Sequence, residues 1–228
     1  MSVETGRRVG RAWWLSGLMV LATPASALDV FGAEVGADPW LGGYVAPGKP
    51  APVILRQDNR VRAVAPRIWG VPPPPKGDRP VTNIRNLESP FWIGSLRYIG
   101  SRCLVPVTSF QEWGGRAGAR TQLWFSVPSQ PVFAFAGIWR ESEVPSFAFL
   151  TTDPNPLVAG VHPKAMPLIL QPDDYETWLA ADWKTASKLV APFPSQLMRM
   201  ESPGRDGKAG ENRPSAQAQT IDLFGRDG

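Results

Sequence analysis

Short runs of β-branched and aromatic residues recur through the middle of the chain, and they limit the folds that it can adopt. Proline, glycine or asparagine bounds each run, which is the pattern of short strands joined by turns. The 228 residues include 25 prolines and 22 glycines, too many for a bundle of long helices. We therefore predict strands over residues 52–55, 102–110, 122–127, 132–139, 147–152 and 166–170.

Helical spacing is clear only late in the chain. Pro172 suits the first turn of a helix, and the two aspartates after it favour the positive end of the helix dipole. Tyr175, Trp178 and Leu179 follow at the spacing of one helical face, and a second helix is predicted over residues 183–190. Because strands dominate, we predict an α+β domain built on a curved, mostly antiparallel β-sheet with a few short helices.

The two ends of the chain differ in composition from its centre. Residues 1–27 join a basic start, an apolar stretch and the exit Ala25-Ser26-Ala27, which is the layout of a signal peptide too short to span a bilayer. A short buried helix or an aberrant start is the alternative. Residues 201–228 are polar and rich in glycine, so we predict a disordered tail behind a folded domain over residues 28–200.

The residue counts exclude several classes of site. Cys103 is the single cysteine, which excludes an internal disulfide and a four-cysteine metal site, and His162 is the single histidine. The sequence contains no nucleophile elbow, Walker loop, HExxH motif or dinucleotide-binding fingerprint. We therefore expect neither a metal nor a cofactor, and the net charge of +4 permits a polyanionic partner without requiring one.

Four polar residues beside apolar strands are candidates for chemistry. Glu112 ends a strand next to Trp113, where burial would raise its pKa and allow proton exchange near neutral pH; a rim glutamate paired with arginine is the alternative. His162 carries the only imidazole of the chain. The alternative is a structural histidine that only forms hydrogen bonds within its own loop. Asn83 can orient a carbonyl or an amine and Arg85 can hold a phosphate, while a turn and a solvated surface are the alternatives.

Six segments of the sequence form a recognisable set. They are Trp-Gly-Val-Pro at 69–72, Asn-Ile-Arg-Asn at 83–86, residues 102–106 with 110–113, Phe-Ala-Gly-Ile-Trp at 135–139, residues 150–155 and His-Pro-Lys-Ala-Met-Pro at 162–167. In this order, over about residues 30–200, they resemble the SOS-response-associated peptidase (SRAP) family, also called abasic-site processing proteins.

This resemblance implies a barrel-like SRAP fold and a covalent reaction with DNA. The family recognises abasic sites in single-stranded DNA. An N-terminal cysteine, exposed by removal of the initiator methionine, condenses with the sugar aldehyde through its amine and its thiol to close a thiazolidine. The resemblance implies that Glu112 shuttles protons, that His162 assists opening of the sugar ring and that Asn83 positions the reacting end.

The resemblance also implies partners and a location. Arg85 would hold a DNA phosphate, and Trp69 and Trp113 would lie against bases near the lesion, so single-stranded DNA with abasic sites is the expected partner. We expect a cytoplasmic, nucleoid-associated monomer, with export as the alternative that the signal-like residues 1–27 leave open.

The chain departs from the family at its start, which reads Met1-Ser2, and no cysteine precedes Cys103. An internal cysteine has no free α-amine and cannot close the same ring, so we expect covalent trapping to be weak or absent. A free α-amine at Ser2 or at a processed end would still allow a reversible Schiff base. The alternatives are a non-catalytic single-stranded DNA-binding module and a thiol peptidase acting on its own N-terminus.

The end of the tail regains large apolar side chains. Gln219, Ile221, Leu223 and Phe224 resemble a bacterial sliding-clamp-binding peptide on a flexible tether. The replication clamp is therefore a second expected partner, and a terminus that binds nothing is the alternative.

Overall fold

The structure, a computed structural model, describes residues 19–21, 29–34, 42–57, 61–116 and 119–202. Outside these residues lie most of the signal-like start and the four predicted clamp-binding residues, Gln219, Ile221, Leu223 and Phe224. Among the described helices, none has the length and apolar character that crossing a bilayer requires.

Short strands make up most of the described chain. They are β1 (Met19–Leu21), β2 (Ala33–Glu34), β3 (Gly43–Val45), β4 (Pro50–Arg56), β5 (Arg62–Trp69), β6 (Asn83–Ile84), β7 (Arg102–Val107), β8 (Ser109–Arg116), β9 (Ala119–Ser126), β10 (Phe133–Arg140), β11 (Ser146–Thr152), β12 (Met166–Pro167), β13 (Ile169–Leu170) and β14 (Arg199–Glu201). The described α-helices are α1 (Ile93–Arg97), α2 (Pro156–Ala159), α3 (Tyr175–Ala180) and α4 (Trp183–Ala186). Single 3₁₀ turns cover Asp29–Phe31, Ile99–Ser101, Pro172–Asp174, Ser187–Leu189 and Ser195–Leu197.

Five of these strands close into a ring of hydrogen-bonded neighbours in the order β4, β5, β11, β10, β7. Neighbours run antiparallel except β5 and β11, which run parallel with Phe147 opposite Trp69. A closed ring with an odd number of strands cannot alternate direction throughout, so one parallel pair is required. Beyond β5, the short strand β6 also pairs in parallel with β11, which puts Asn83 opposite Phe149.

A second sheet is joined to the ring. In the described residues its strand order is β14, β9, β8, β1, β3. Only Thr108 separates β8 from the ring strand β7. β1 runs antiparallel between β8 and β3, with Met19 opposite Phe110. Residues 1–27, which the sequence sets apart from the folded domain, therefore contribute a strand to it.

The apolar side chains form two clusters because neighbouring residues of a strand face opposite sides. One cluster lies inside the ring and continues beneath the second sheet; it includes Cys103, Phe110, Phe125, Phe135 and Phe149. The other lies outside the ring, where the helices pack; it includes Ile54, Leu96, Leu104, Ala136 and Trp178. The inner cluster is the one that the candidate site borders.

Gly137 shows how tightly the interior of the ring is filled. It lies on β10 directly opposite Cys103 of β7. A Cβ atom added at Gly137 would come within 2.7 Å of the Cys103 Sγ atom and 2.8 Å of a methyl carbon of Val105. The missing side chain therefore makes room for the thiol, and Cys103 is a buried core residue.

The sequence predicted the two late helices and seven of the fourteen described strands, namely β4, β7, β9, β10, β11, β12 and β13, together with the first two residues of β8. The predicted run 102–110 divides at Thr108, where the chain leaves the ring for the second sheet. The second predicted helix is α4 followed by the 3₁₀ turn Ser187–Leu189. β5 was not predicted, because Pro66 and Arg67 interrupt its apolar pattern. The predicted fold class, α+β on a curved and mostly antiparallel sheet, is confirmed.

Gly137→Ala should destabilise the protein, because the added methyl group has no room between Cys103 and Val105. Overpacking of this kind costs about 1–3 kcal/mol, which would appear as a lower midpoint of thermal unfolding. Gly94→Ala is the matched control, since a Cβ atom at Gly94 meets nothing within 4 Å. Adding Cys103→Ala should restore part of the loss. A Gly137→Ala protein as stable as the wild type would contradict the tight fit.

Candidate active site

Glu112 lies on β8 with its side chain turned toward the core. Phe110, two residues earlier and on the same face of the strand, belongs to the inner cluster. Glu112 is only 4% exposed, and Leu123 lies opposite it on β9. It forms no ion pair with a described residue, so it is not a rim glutamate paired with arginine. Burial raises the pKa of Glu112 to about 8, so the carboxyl group keeps its proton at neutral pH.

Contacts between phenylalanine rings connect the Glu112 strand to β11. The ring centroid of Phe135 lies 5.7 Å from that of Phe110 and 5.0 Å from that of Phe149. Asn83 is the register partner of Phe149, so both side chains project from the same side of the sheet. Glu112 and Asn83 therefore border the same apolar core.

The Asn83 side chain has an unpaired acceptor. Its Oδ1 atom is buried and has no hydrogen-bond partner among the described residues. A buried acceptor without a donor is unfavourable unless water or a ligand supplies one. An amine or a hydroxyl group of a substrate would supply such a donor.

His162 is held by backbone contacts that determine which ring nitrogen carries the proton. Its loop begins at α2, and its backbone N–H donates to the Val158 carbonyl at 2.7 Å. The Nδ1 atom lies 2.8 Å from the Ala165 carbonyl oxygen, and the Ala165 N–H makes a longer contact of 3.3 Å with the same nitrogen. A carbonyl oxygen only accepts, so the shorter contact assigns the proton to Nδ1. Nε2 is then the ring nitrogen that can accept a hydrogen bond or a proton.

The His162 loop packs against the strand that carries Glu112. Gly114 follows Glu112 by two residues and shares its face of β8. A Cβ atom at Gly114 would lie 3.5 Å from a methyl carbon of Val161, the residue before His162. The structure therefore brings Asn83, Glu112 and the His162 loop to the border of one core.

Arg85 and Asp153 form an ion pair at the edge of this site. Because β6 and β11 run parallel, the residues that follow them leave the sheet at the same edge. The two side chains are 49% and 77% exposed, so a ligand in solution can reach them. Asp153 is the anion that pairs with the Arg85 guanidinium group in this structure.

The two tryptophans predicted to contact bases differ in their exposure. Trp113 is 38% exposed on β8. Trp69 is fully buried, its Nε1 donates to the Thr82 carbonyl at 3.1 Å, and its ring centroid lies 5.4 Å from that of Phe149. Because Trp69 is buried, a base cannot stack on its ring, and the expectation that Trp69 contacts bases is wrong. Its indole instead links Thr82, just before β6, to Phe149 on β11.

Sequence reasoning missed Gln111 and Asp153. Gln111 is fully buried on β8, and neither atom of its amide has a partner in the described part of the chain. Its position next to Glu112 in an apolar run is the signal that would have found it. Asp153 lies in a polar loop and becomes informative only through its contact with Arg85.

Two further observations concern the thiol and the metal-binding side chains of the described residues. Burial raises the pKa of the Cys103 thiol far above its usual range, which removes Cys103 as a nucleophile. Within the described ranges, no group of three or more His, Cys, Asp or Glu side chains is arranged to hold a metal ion.

Comparisons with known proteins agree with this fold. The sequence model of a family described as SOS response associated peptidase (SRAP) matches residues 26–203. A search of curated proteins found no match. A solved structure from Bordetella bronchiseptica is similar with a TM-score of 0.69 at 20% identity, covering 82% of this chain and 98% of that one.

Two other solved structures show the same similarity of fold. A protein from Bacteroides thetaiotaomicron has a TM-score of 0.66 at 21% identity, covering 82% of this chain and 91% of that one. A phage-related protein from Bordetella bronchiseptica has a TM-score of 0.64 at 20% identity, covering 82% and 93%.

Glu112→Gln should change how stability depends on pH. Burial raises the pKa of Glu112 to about 8 in the folded protein, whereas a glutamate in an unfolded chain has a pKa of about 4.3. Between these pH values the folded state binds more protons, so the free energy of unfolding of the wild type falls as the pH rises. Glutamine does not titrate, so the variant lacks this fall. Unfolding midpoints measured from about pH 4 to pH 9 test the difference.

Glu143→Gln is the control for this experiment, because it removes an exposed carboxylate in the turn before β11. It should follow the wild-type curve. If the curves of the wild type and Glu112→Gln ran parallel, the carboxyl group would not be buried as the structure has it.

Proposed function

The chain belongs to the SOS response associated peptidase family, and we propose that it binds abasic sites in single-stranded DNA and processes the exposed sugar by proton transfer. The observation that carries this proposal is Glu112, a carboxyl group buried without a cation partner among the described residues. Such a group is a proton donor at neutral pH. Asn83 and the His162 loop border the same core.

Opening of the abasic sugar ring requires one proton to be taken and one to be given. The sugar is a cyclic hemiacetal, so a base accepts the proton of its C1′ hydroxyl while an acid protonates the ring oxygen. The ring C–O bond then breaks and the aldehyde forms. Nε2 of His162 is the base in this proposal, because Nδ1 holds its proton against Ala165. Glu112 is the acid, and the Asn83 Oδ1 atom accepts a hydrogen bond from a sugar hydroxyl.

An amine can then attack the aldehyde carbon. Glu112 first regains a proton, which balances the one that His162 took from the sugar. A C–N bond then forms as the amine passes one of its protons to the former aldehyde oxygen, and the C–O bond breaks when this hydroxyl takes a second proton from Glu112 and leaves as water, which gives a protonated Schiff base. Cys103 cannot add a thiol to this product, because it is buried and lies within the chain. The proposed adduct is therefore reversible, in contrast to a thiazolidine. β1 has Met19 opposite Phe110, so a chain end generated just before β1 would bring an α-amine close to Glu112.

The two other functions have less support. A thiol peptidase requires a reactive cysteine, and Cys103 is buried. A non-catalytic single-stranded DNA-binding module would not require a buried, protonated carboxyl group such as Glu112.

The proposed function also bears on location and partners. A protein that processes chromosomal DNA is cytoplasmic and nucleoid-associated. Binding of the tail to the replication clamp stays a prediction.

Glu112→Gln and His162→Ala should slow lesion processing while retaining DNA affinity. General acid–base catalysis contributes about 100-fold to 10,000-fold to rates, so each variant should lose at least about 100-fold. The readouts are the rate of borohydride-trapped adduct on an abasic oligonucleotide and, separately, binding measured by fluorescence anisotropy. Wild-type activity should fall as the pH rises through about 8, because Glu112, whose pKa burial raises to about 8, loses its proton.

The control is the same oligonucleotide without the lesion. The wild type should bind this control more weakly and leave it unmodified. Processing rates unchanged in both variants would favour the non-catalytic module. A heat-stable adduct formed without borohydride would contradict the reversible Schiff base.

Asp153→Asn should strengthen binding of single-stranded DNA, because it removes the carboxylate that pairs with Arg85. An exposed ion pair is worth little, so we expect a gain of about two- to fivefold in affinity. Arg85→Ala should weaken binding and reduce its dependence on salt. Glu143→Gln, which removes an equal charge at the opposite end of β11, is the control. Equal gains from Asp153→Asn and Glu143→Gln would show a general charge effect.

A further inference from the structure

We propose that the outer face of the second sheet binds unpaired bases of the DNA strand whose abasic site lies at Glu112, an inference that rests on the proposed function. The binding surface is the aromatic row, which we define as Tyr44 on β3, Trp113 on β8 and Trp124 on β9. Tyr44 and Trp113 are 44% and 38% exposed. Large aromatic side chains left in water on one face mark an interaction surface.

Strand register puts the three rings on one face. Because Glu112 points into the core, its neighbours Gln111 and Trp113 point to the outer face. Trp124 lies opposite Gln111 and shares that face, and Trp113 is its diagonal neighbour across the β8–β9 pair. The ring centroids of Tyr44 and Trp124 are 5.8 Å apart. The three rings thus lie on one face, with Tyr44 against Trp124 and Trp113 diagonally beside Trp124.

Gln111 supplies a second, independent observation. It lies on the same face, opposite Trp124, and is fully buried with its amide Nε2 and Oε1 atoms unpaired in the described part of the chain. An unpaired buried amide is costly. The edge of adenine offers one donor and one acceptor and would satisfy both atoms. This amide selects a nucleobase over a purely apolar occupant.

Arg120 adds positive charge to the same face. It lies on β9 two residues before Gln122, which is opposite Trp113, and alternate residues of a strand share a face. Its side chain is exposed. Aromatic rings beside an arginine bind single strands through base stacking and attraction to the phosphates.

The aromatic row lies on the face of the second sheet opposite Glu112, and the two faces meet at a free stretch of β8. On its side away from β9, β8 pairs with described residues only at Ser109 and Phe110, so a DNA strand that leaves Glu112 can pass around β8 beyond these residues and meets Trp113 first. Trp124 and Tyr44 follow further across the sheet. This continuity favours the flanking part of the same strand as the occupant.

The test compares two oligonucleotides that carry one abasic site, a short one of about three nucleotides and a long one of about twelve. Fluorescence anisotropy gives their affinities for the wild type, Tyr44→Ala and Trp124→Leu. Stacking of one base on each ring predicts that each variant binds the long strand about tenfold more weakly and the short strand with a much smaller loss. No loss on the long strand, or equal losses on both strands, would overturn the proposal.

Gln111→Leu keeps the shape of the side chain and removes its amide. Weaker binding of the long strand together with a higher unfolding midpoint supports hydrogen bonding to a base. Unchanged binding overturns that part of the proposal. Tyr98→Ala is the control, since Tyr98 is 67% exposed beyond α1 and outside the second sheet.

An intact long strand without the lesion separates this inference from the proposed function. If the wild type binds abasic and intact strands equally, the proposed function fails. If the variants of the aromatic row still weaken binding of the intact strand, the base-binding face stands on its own.

Discussion

Closure of the ring between β5 and β11 is the constraint on which the rest of the structure depends. The parallel pairing of these strands lets β6 continue along β11, and this places Asn83 and Arg85 at the far end of that strand. Inside the ring, the missing side chain of Gly137 leaves room for the Cys103 thiol. Phe110 and Phe125 continue the same apolar cluster beneath the second sheet, where Glu112 borders it on β8.

The site derives its chemistry from the apolar contacts that stabilise the fold. Desolvation, without a compensating cation among the described residues, shifts Glu112 toward its neutral form. The unpaired Asn83 oxygen is a second unfavourable feature at the border of the same core. The buried Glu112 carboxyl group and the unpaired Asn83 oxygen both lower the stability of the folded protein, so selection for stability alone would not favour them. Unfavourable groups of this kind are expected where a protein binds a ligand.

Sequence patterns predicted the elements better than their arrangement. Runs of β-branched and aromatic residues predict strands because that signal is local, and Glu112 was identified because a carboxyl group inside an apolar run is unusual. The burial of Trp69 was not predictable, because it depends on Thr82 and Phe149, which are distant in sequence. The Arg85–Asp153 pair likewise joins residues brought together only by the parallel strands β6 and β11.

β1 has a consequence for how the chain matures. It lies between β8 and β3, within the segment that has the layout of a signal peptide. Cleavage after Ala27 would delete this strand and expose the facing edges of β8 and β3. Unpaired strand edges of this kind promote aggregation. Passage through a secretion channel and assembly of the complete second sheet therefore compete for the same three residues, Met19–Leu21. If these residues are cleaved off with the signal-like segment, they are no longer present to form β1. If they form β1, the segment has to stay attached to the folded protein.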